Sequence, residues 1–365
     1  MRLKVVIPGK RGGKRLARGV TRDLQSQIKR FQHRLAALHA NQAAQANVAR
    51  TRQKARTSRA KVIEGSAYSS EGFVAPWLML KPERRFRLFV PEHRVGERLP
   101  LLVMIHGCRQ SRDDFEHGTR MSEVAEREHF AVLYPEQTSF ANLRRCWNWF
   151  DPNTASGRGE CSIIREMIER AFDAAPCDRS RIYVAGLSSG AALAGLLAFH
   201  YPSQFAAVAM HSGLPPLASP TIASAVAAMK RGVRVDREAL AKAYWSREKV
   251  APAPLLVLHG DEDERVDERN GTALVKTWEA LFEAEPGAPA LERRSSRIEA
   301  AEGVRAYTRT QLLRDGEIVV CGVRVHGLAH AWSGGDAEFP FNDAKGPNAS
   351  EMIWEFVKRF SRTNE

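Results

Sequence analysis

Apolar and polar positions alternate in one way up to about residue 60 and in another beyond residue 80. In the early part Leu24, Ile28, Phe31, Leu35 and Leu38 recur at spacings of four and three, the signature of one face of a helix. Residues 21–60 lack Gly and Pro and are rich in Gln, Ala and Arg, which favours helix. The stripe fades after Leu38, and two heptads are too few for a coiled coil. Two readings stay open: a helix docked on its own domain or partly disordered, and a basic amphipathic helix that binds an apolar or anionic surface. The stretch "EGSAYSSEG" (Glu64–Gly72) reads as a linker.

Beyond it short apolar runs alternate with helical stretches. "RRFRLFVP" (Arg84–Pro91) alternates like a strand with one wet face. "LPLLVMIHG" (Leu99–Gly107) is apolar throughout, as a strand buried on both faces must be. "FAVLYP" (Phe130–Pro135), "RIYVAG" (Arg181–Gly186), "FAAVAMHSG" (Phe205–Gly213) and "PLLVLHG" (Pro254–Gly260) share that character. Helical segments such as "CSIIREMIERAFDAA" separate them. Strands alternating with helices predict an α/β domain with a mostly parallel sheet covered on both faces. Residues 214–252 read as a helical excursion, and "EAEPGAPALERRSS" (Glu283–Ser296) as an exposed loop. There is no internal repeat. The expected division is a basic arm and helix over 1–63, a linker over 64–79 and a catalytic domain over 80–365.

Composition alters this picture at one place. The chain has 365 residues, 44% hydrophobic and 27% charged, with a formal net charge of +13. Residues 1–60 hold 16 Lys/Arg against the single acid Asp23, a net of +15; the remainder holds 39 against 41, a net of −2. The excess charge therefore belongs to the arm and points to an anionic partner there, while the near-neutral body gives no support for nucleic acid as its ligand. Five Cys, an odd number without a CxxC pair, argue against a zinc site and a fully paired disulfide framework. The only apolar run near the N-terminus is "VVIP", shorter than the ~7–15 residues of a signal core, and nothing approaches the ~20 residues of a membrane span. The expectation is a cytoplasmic chain, or a secreted one if translation starts elsewhere.

The chemistry centres on Gly186-Leu187-Ser188-Ser189-Gly190, a G-x-S-x-G sequence between a buried strand and a small-residue helix. A nucleophilic serine needs such a sharp turn to project its hydroxyl, and small neighbours let strand and helix approach. It also needs a base, and the base an orienting acid, in the chain order Ser, Asp/Glu, His. "LLVLHGDEDERVD" offers Asp261, Asp263 and Asp267, with Glu262 and Glu264 nearby; the turn length favours Asp263. "VRVHGLAHAWSGGD" offers His326 and His330. His326 ends an alternating strand, whereas His330 sits in a small-residue loop suited to an imidazole at the rim, so His330 is favoured. The backbone N–H groups of Ser189 and Cys108 suit an oxyanion hole, which leaves His106 a structural role.

With these pieces in place the chain resembles the polyhydroxybutyrate depolymerase-like esterases of the α/β-hydrolase superfamily over roughly residues 80–360. The resemblance rests on "LLVMIHGCRQ", "CWNWFDP" (Cys146–Pro152), "RIYVAGLSSGAAL", "YPSQFAAVAMHSG", "HGDEDERVD", "GLAHAWSGG" (Gly327–Gly335) and "GPNASEMIWEF" (Gly346–Phe356). It implies the α/β-hydrolase fold, Ser188 as nucleophile, Asp263 as acid (with Val266 completing HG-x-x-D-x-x-V) and His330 as base. It also places "CWNWF" near the pocket, where Trp147, Trp149 and Trp332 would line an apolar groove. The implied substrate is a polyester or oligoester of short 3-hydroxy acids, hydrolysed without metal or organic cofactor. Feruloyl or acetyl esters on plant polysaccharide, or an acidic polymer, are the alternatives on the same scaffold. The basic arm lies outside the resemblance; its stripe and arginines suit a storage granule with an apolar body and an anionic coat. Cys108 and Cys146 fall in two of the quoted segments; they would pair in an oxidising compartment and are expected as free thiols in the cytoplasm.

Overall fold

The structure, a computed structural model, describes residues 57–68, 83–217, 222–233 and 235–362. The chain divides into one unit ending at Thr57 and another from Ser58 to Glu365. The amphipathic stripe from Leu24 to Leu38 lies outside the described residues.

The second unit is built on a ten-stranded sheet. In chain order the strands are β1 (Lys61–Tyr68), β2 (Glu83–Val90), β3 (Leu99–Ile105), β4 (Ala131–Pro135), β5 (Cys177–Leu187), β6 (Ala207–His211), β7 (Leu255–Gly260), β8 (Glu292–Ile298), β9 (Tyr307–Arg314) and β10 (Glu317–Val325). Their spatial order is β8-β9-β10-β7-β6-β5-β3-β4-β2-β1. From β10 across to β4 every pairing is parallel; the two outer pairings on each flank are antiparallel.

The continuous apolar runs follow from this arrangement. Along β3, Leu101, Val103 and Ile105 enter one hydrophobic cluster, and Leu102 and Met104 enter another. Val208 and Met210 of β6 and Leu255 and Val257 of β7 join the first, while Ala207, Ala209, Leu256 and Leu258 join the second. Successive side chains on a strand point to opposite faces, so a sheet covered on both sides has no polar positions to show. The first cluster is roofed by α3 (Glu160–Ala174), α4 (Ser189–His200) and α7 (Arg269–Glu283), the second by α1 (Arg112–Thr119), α2 (Met121–Glu128) and α8 (Ala349–Val357). This is the α/β-hydrolase architecture. Within 214–252, α5 (Ile222–Arg231) and α6 (Arg237–Arg247) form the helical excursion between β6 and β7.

Two boundaries differ from the sequence reading. Glu64–Tyr68 is not linker: it belongs to β1, paired with β2 in the register Gly65↔Phe86, so the sheet-bearing unit begins near Ser58 rather than at 80. Gly65 reads as a breaker, yet here the Phe86 ring occupies the space that a Cβ at 65 would fill. The "ERRSS" part of the expected Glu283–Ser296 loop belongs to edge strand β8, exposed along almost its whole length. A charged edge strand buries no face and so carries no alternation.

The sheet positions the site at one turn. A Cβ on Gly190 would overlap the carbonyl groups of Ile105 and His106 at the end of β3. One on Gly186 would lie 2.5 Å from the Gly190 carbonyl carbon. Strand β5 and helix α4 thus meet at backbone contact. Gly190→Ala is expected to lower unfolding stability by about 3 kcal/mol or more, read from urea midpoints; an unchanged midpoint would mean that helix and strand stand further apart.

Candidate active site

Ser188 joins β5 to α4 with φ 57° and ψ −117°, a left-handed backbone that a non-glycine residue holds only under constraint. Its N–H donates to the His211 carbonyl at 2.9 Å, which anchors the turn to β6. The residue is 9% exposed, and its hydroxyl is hydrogen-bonded to no described residue. Ser189 opens α4, where the first N–H groups lack intrahelical partners and the helix dipole is positive.

Asp263 and His330 hang from neighbouring parallel strands. Asp263 follows β7 and His330 follows β10, which pairs with β7 from Val320↔Leu255 to Val325↔Gly260. His330 Nδ1 lies 2.7 Å from Asp263 Oδ2. An ionised carboxylate only accepts, so Nδ1 carries the hydrogen and Nε2 is left with a lone pair, the tautomer a base needs. Asp263 Oδ1 accepts from the N–H groups of Val266 at 2.8 Å and Arg265 at 3.0 Å. Burial opposes ionisation of this carboxyl, but the His330 hydrogen bond and the nearby imidazoles outweigh it and hold its pKa below the ordinary value.

The structure sorts the competing residues into separate partnerships. Asp261 accepts from His326 Nδ1 and from the Gly327 N–H, both at 2.7 Å, and so ties down the start of the loop that carries His330. Asp267 takes the N–H and guanidinium of Arg269 at the start of α7. His106 accepts from the Gln137 N–H through Nε2 at 3.0 Å and donates from Nδ1 to the Gly107 carbonyl at 2.7 Å. Both of its nitrogens are spent on backbone.

The loop after β3 lies over Ser188: a Cβ on Gly107 would stand 3.5 Å from Ser188 Cβ. Its Gly107 N–H donates to Gln110 Oε1 at 2.8 Å, and Gln110 Nε2 donates to the Pro340 carbonyl at 2.9 Å. The Cys108 N–H is bonded to no described group.

A sequence profile described as "Esterase PHB depolymerase" matches residues 85–286, more than half the chain, including Ser188 and Asp263. The chain belongs to this family. Within the esterase PHB depolymerase family and around it, a poly(3-hydroxyalkanoate) depolymerase C of Paucimonas lemoignei is 33% identical over 183 residues, 49% of this chain and 44% of that protein. An acetylxylan esterase A of Emericella nidulans is 26% identical over 207 residues, 54% of this chain and 67% of the relative. A feruloyl esterase B of Neurospora crassa is 31% identical over 132 residues, 36% of this chain and 44% of the relative. The chain thus spans less than half the length of two of these relatives. Among solved structures, an acetyl xylan esterase from Aspergillus awamori superposes with a TM-score of 0.59 at 20% identity, covering 75% of this chain and 94% of that one, which shows a shared fold.

Three features of this family member depart from the sequence reading or were missed by it. Cys108 and Cys146 form a disulfide, against the expectation of free thiols, because the loops after β3 and β4 meet over the end of β5. Cys161, Cys177 and Cys321 are free and buried. The Ser189 hydroxyl sits in the same junction: it accepts from the Trp147 N–H at 3.3 Å and donates to Cys108 Sγ at 3.4 Å. Trp147, Trp149 and Trp332 are core residues rather than walls of an open groove. Trp147 packs on His106, and Trp332 stacks on His211 with its indole N–H donated to Ser350 Oγ at 3.1 Å. Large flat side chains under a crossing of loops fill volume first.

His211, unremarked in the sequence, lies under the loop that carries His330. Its Nε2 accepts from the Ser333 N–H at 3.3 Å, leaving Nδ1–H for Ser212 Oγ at 3.2 Å. Burial, aided by the neighbouring imidazoles, lowers its pKa from 6.5 to about 3. Burial likewise lowers that of His106 to about 4. Neutral imidazole is therefore required at both positions. The unfolded chain takes up protons near 6.5 and the folded one does not, so stability is full above that pH and falls as pH drops toward about 4 and 3. At pH 5 the loss is on the order of 2 kcal/mol per histidine. Urea unfolding at pH 7.5 and pH 5 measures it, and His211→Asn should shrink the pH dependence.

Proposed function

We propose that this protein is a carboxylic ester hydrolase in which Ser188, His330 and Asp263 act as a catalytic triad on polyesters or oligoesters of short 3-hydroxy acids. The observation that carries the reading is the 2.7 Å Asp263–His330 pair, which follows β7 and β10 at the same end of the parallel strands where Ser188 follows β5 on a strained strand-to-helix turn. The N–H groups of Cys108 and Ser189 suit the oxyanion, one from the loop over the serine and one from the helix N-terminus.

The reaction runs in two halves. Ser188 Oγ attacks the ester carbonyl carbon while its proton passes to His330 Nε2. Asp263 keeps the imidazole in the required tautomer and stabilises the cation that forms. The tetrahedral intermediate collapses, and the alcohol leaves with the proton from His330. Water then gives a proton to His330 and attacks the acyl carbon; the acid departs and Ser188 recovers its proton. The Ser188–His330 hydrogen bond forms when substrate fills the site, as such contacts often tighten only in the complex. No step calls for a metal or cofactor.

Polyester is favoured over other esters because a relative 33% identical over 183 residues is named a poly(3-hydroxyalkanoate) depolymerase. Acetyl or feruloyl esters are the second reading, supported by the names of the acetylxylan and feruloyl relatives.

Hydrolysis of p-nitrophenyl acetate and butyrate, amorphous polyhydroxybutyrate and acetylated xylan by wild type and Ser188→Ala tests both. Soluble esters and polymer are expected to be cleaved, with loss in the mutant; xylan deacetylation without polymer hydrolysis would move the substrate to the second reading. Asp263→Asn should lower kcat by about 10⁴, and Asp261→Asn far less. Equal losses would show that the acid is misassigned.

A further inference from the structure

The two most exposed large apolar side chains among the described residues are Leu143, 93% exposed, and Phe140, 89%. They stand three positions apart on the loop between Thr138 and Cys146, with exposed Arg144 and Arg145 beside them. Across the disulfide, exposed Arg109 donates its N–H to the Arg144 carbonyl at 2.6 Å. No described acid pairs with any of these three guanidinium groups, whereas many other surface arginines, such as Arg120, Arg127 and Arg179, are bridged to glutamates.

The loop is braced. Its two ends grip one buried carboxylate: Gln137 Nε2 and the Asn148 N–H donate to Glu160 at 2.5 Å and 2.6 Å. Glu160 is itself paired with buried Arg84 at 3.4 Å. Within the loop, Arg145 N donates to the Asn142 carbonyl at 2.7 Å, and Asn142 Nδ2 to Asn148 Oδ1 at 2.9 Å. The disulfide ties its far end to Cys108, the proposed oxyanion donor. A held loop that keeps bulky apolar groups in water has no internal use for them.

We propose that Phe140 and Leu143 are the contact by which this protein seats on a solid polyester, with Arg109, Arg144 and Arg145 donating to ester carbonyl oxygens at its surface. The inference rests on the esterase reading above and names where its substrate is held. Phe140 and Leu143 sink into the apolar chain, while unpaired guanidinium groups favour an oxygen-bearing surface over a pure hydrocarbon one. Because the loop is bonded to the residue over Ser188, a polymer held there lies against the opening of the site.

The test is depletion of the full chain onto amorphous polyhydroxybutyrate particles and onto polystyrene beads. About 1 M salt, where the Debye length is ~3 Å, removes long-range attraction by the basic residues 1–60. Phe140→Ser/Leu143→Ser is expected to weaken adsorption to polyester by at least about tenfold and polymer hydrolysis in parallel. Its kcat/KM on p-nitrophenyl butyrate should be unchanged. Phe140→Trp/Leu143→Met should retain adsorption. At low salt Arg144→Gln/Arg145→Gln should narrow the preference for polyester over polystyrene. Wild-type adsorption by the double serine variant would overturn the proposal, as would a parallel fall in soluble-ester kcat/KM. Absence of Ser188-dependent hydrolysis in wild type would defeat the esterase reading instead, and adsorption would still decide whether the loop is the contact.

Discussion

Ser188 can hold a φ of 57° only because β5 and α4 are pressed together at Gly186 and Gly190, with the end of β3 against the second glycine. Such a conformation costs about 1–3 kcal/mol, which the surrounding core offsets. Helix α4 is buried almost completely, its small residues packed over β5 and β6. What the turn gains is geometric: Ser188 stands beyond the end of β5, and the first turn of α4 begins at its neighbour Ser189.

Everything else in the site is suspended from the C-terminal ends of parallel strands around that turn. Cys108 follows β3, Asp263 follows β7 and His330 follows β10, while β6 supplies the carbonyl that anchors Ser188. Ligands in open α/β sheets gather at this edge because the crossover connections all leave from it. Loops alone would be too loose to hold a proton-transfer geometry, and here each is tied twice. The Cys108 loop is held by Gln110 and the disulfide, the His330 loop by Asp261 and Asp263. Ser189 connects the elbow to both the disulfide and the tryptophan loop through one hydroxyl.

Much of this is legible in the sequence. The fully apolar strands, the glycines bracketing Ser188 and the chain order of serine, acid and histidine are local consequences of a buried parallel sheet and a sharp turn. The preference for Asp263 over Asp261 rests on the turn length after β7, and it is Asp263 that lies against His330. The unread parts depend on contacts distant in sequence. Gly65 looks like a break until Phe86 is seen lying on it. β8 buries nothing and so shows no period. Cys108 and Cys146 are 38 residues apart, and their union depends on two loops crossing above β5. Trp147, Trp149 and Trp332 carry no sign in the sequence of whether they fill a core or line a groove. His211 was hidden because its backbone and ring do separate things: the carbonyl fixes Ser188 and the imidazole packs beneath the His330 loop.

The central claim is that Ser188, and not its neighbour Ser189, forms the covalent intermediate. Reaction of the protein with a fluorophosphonate, followed by intact mass and peptide mapping, tests it most directly. The account predicts one equivalent of label on Ser188, formed far more slowly in Asp263→Asn. Label on Ser189, or none at all, would contradict it.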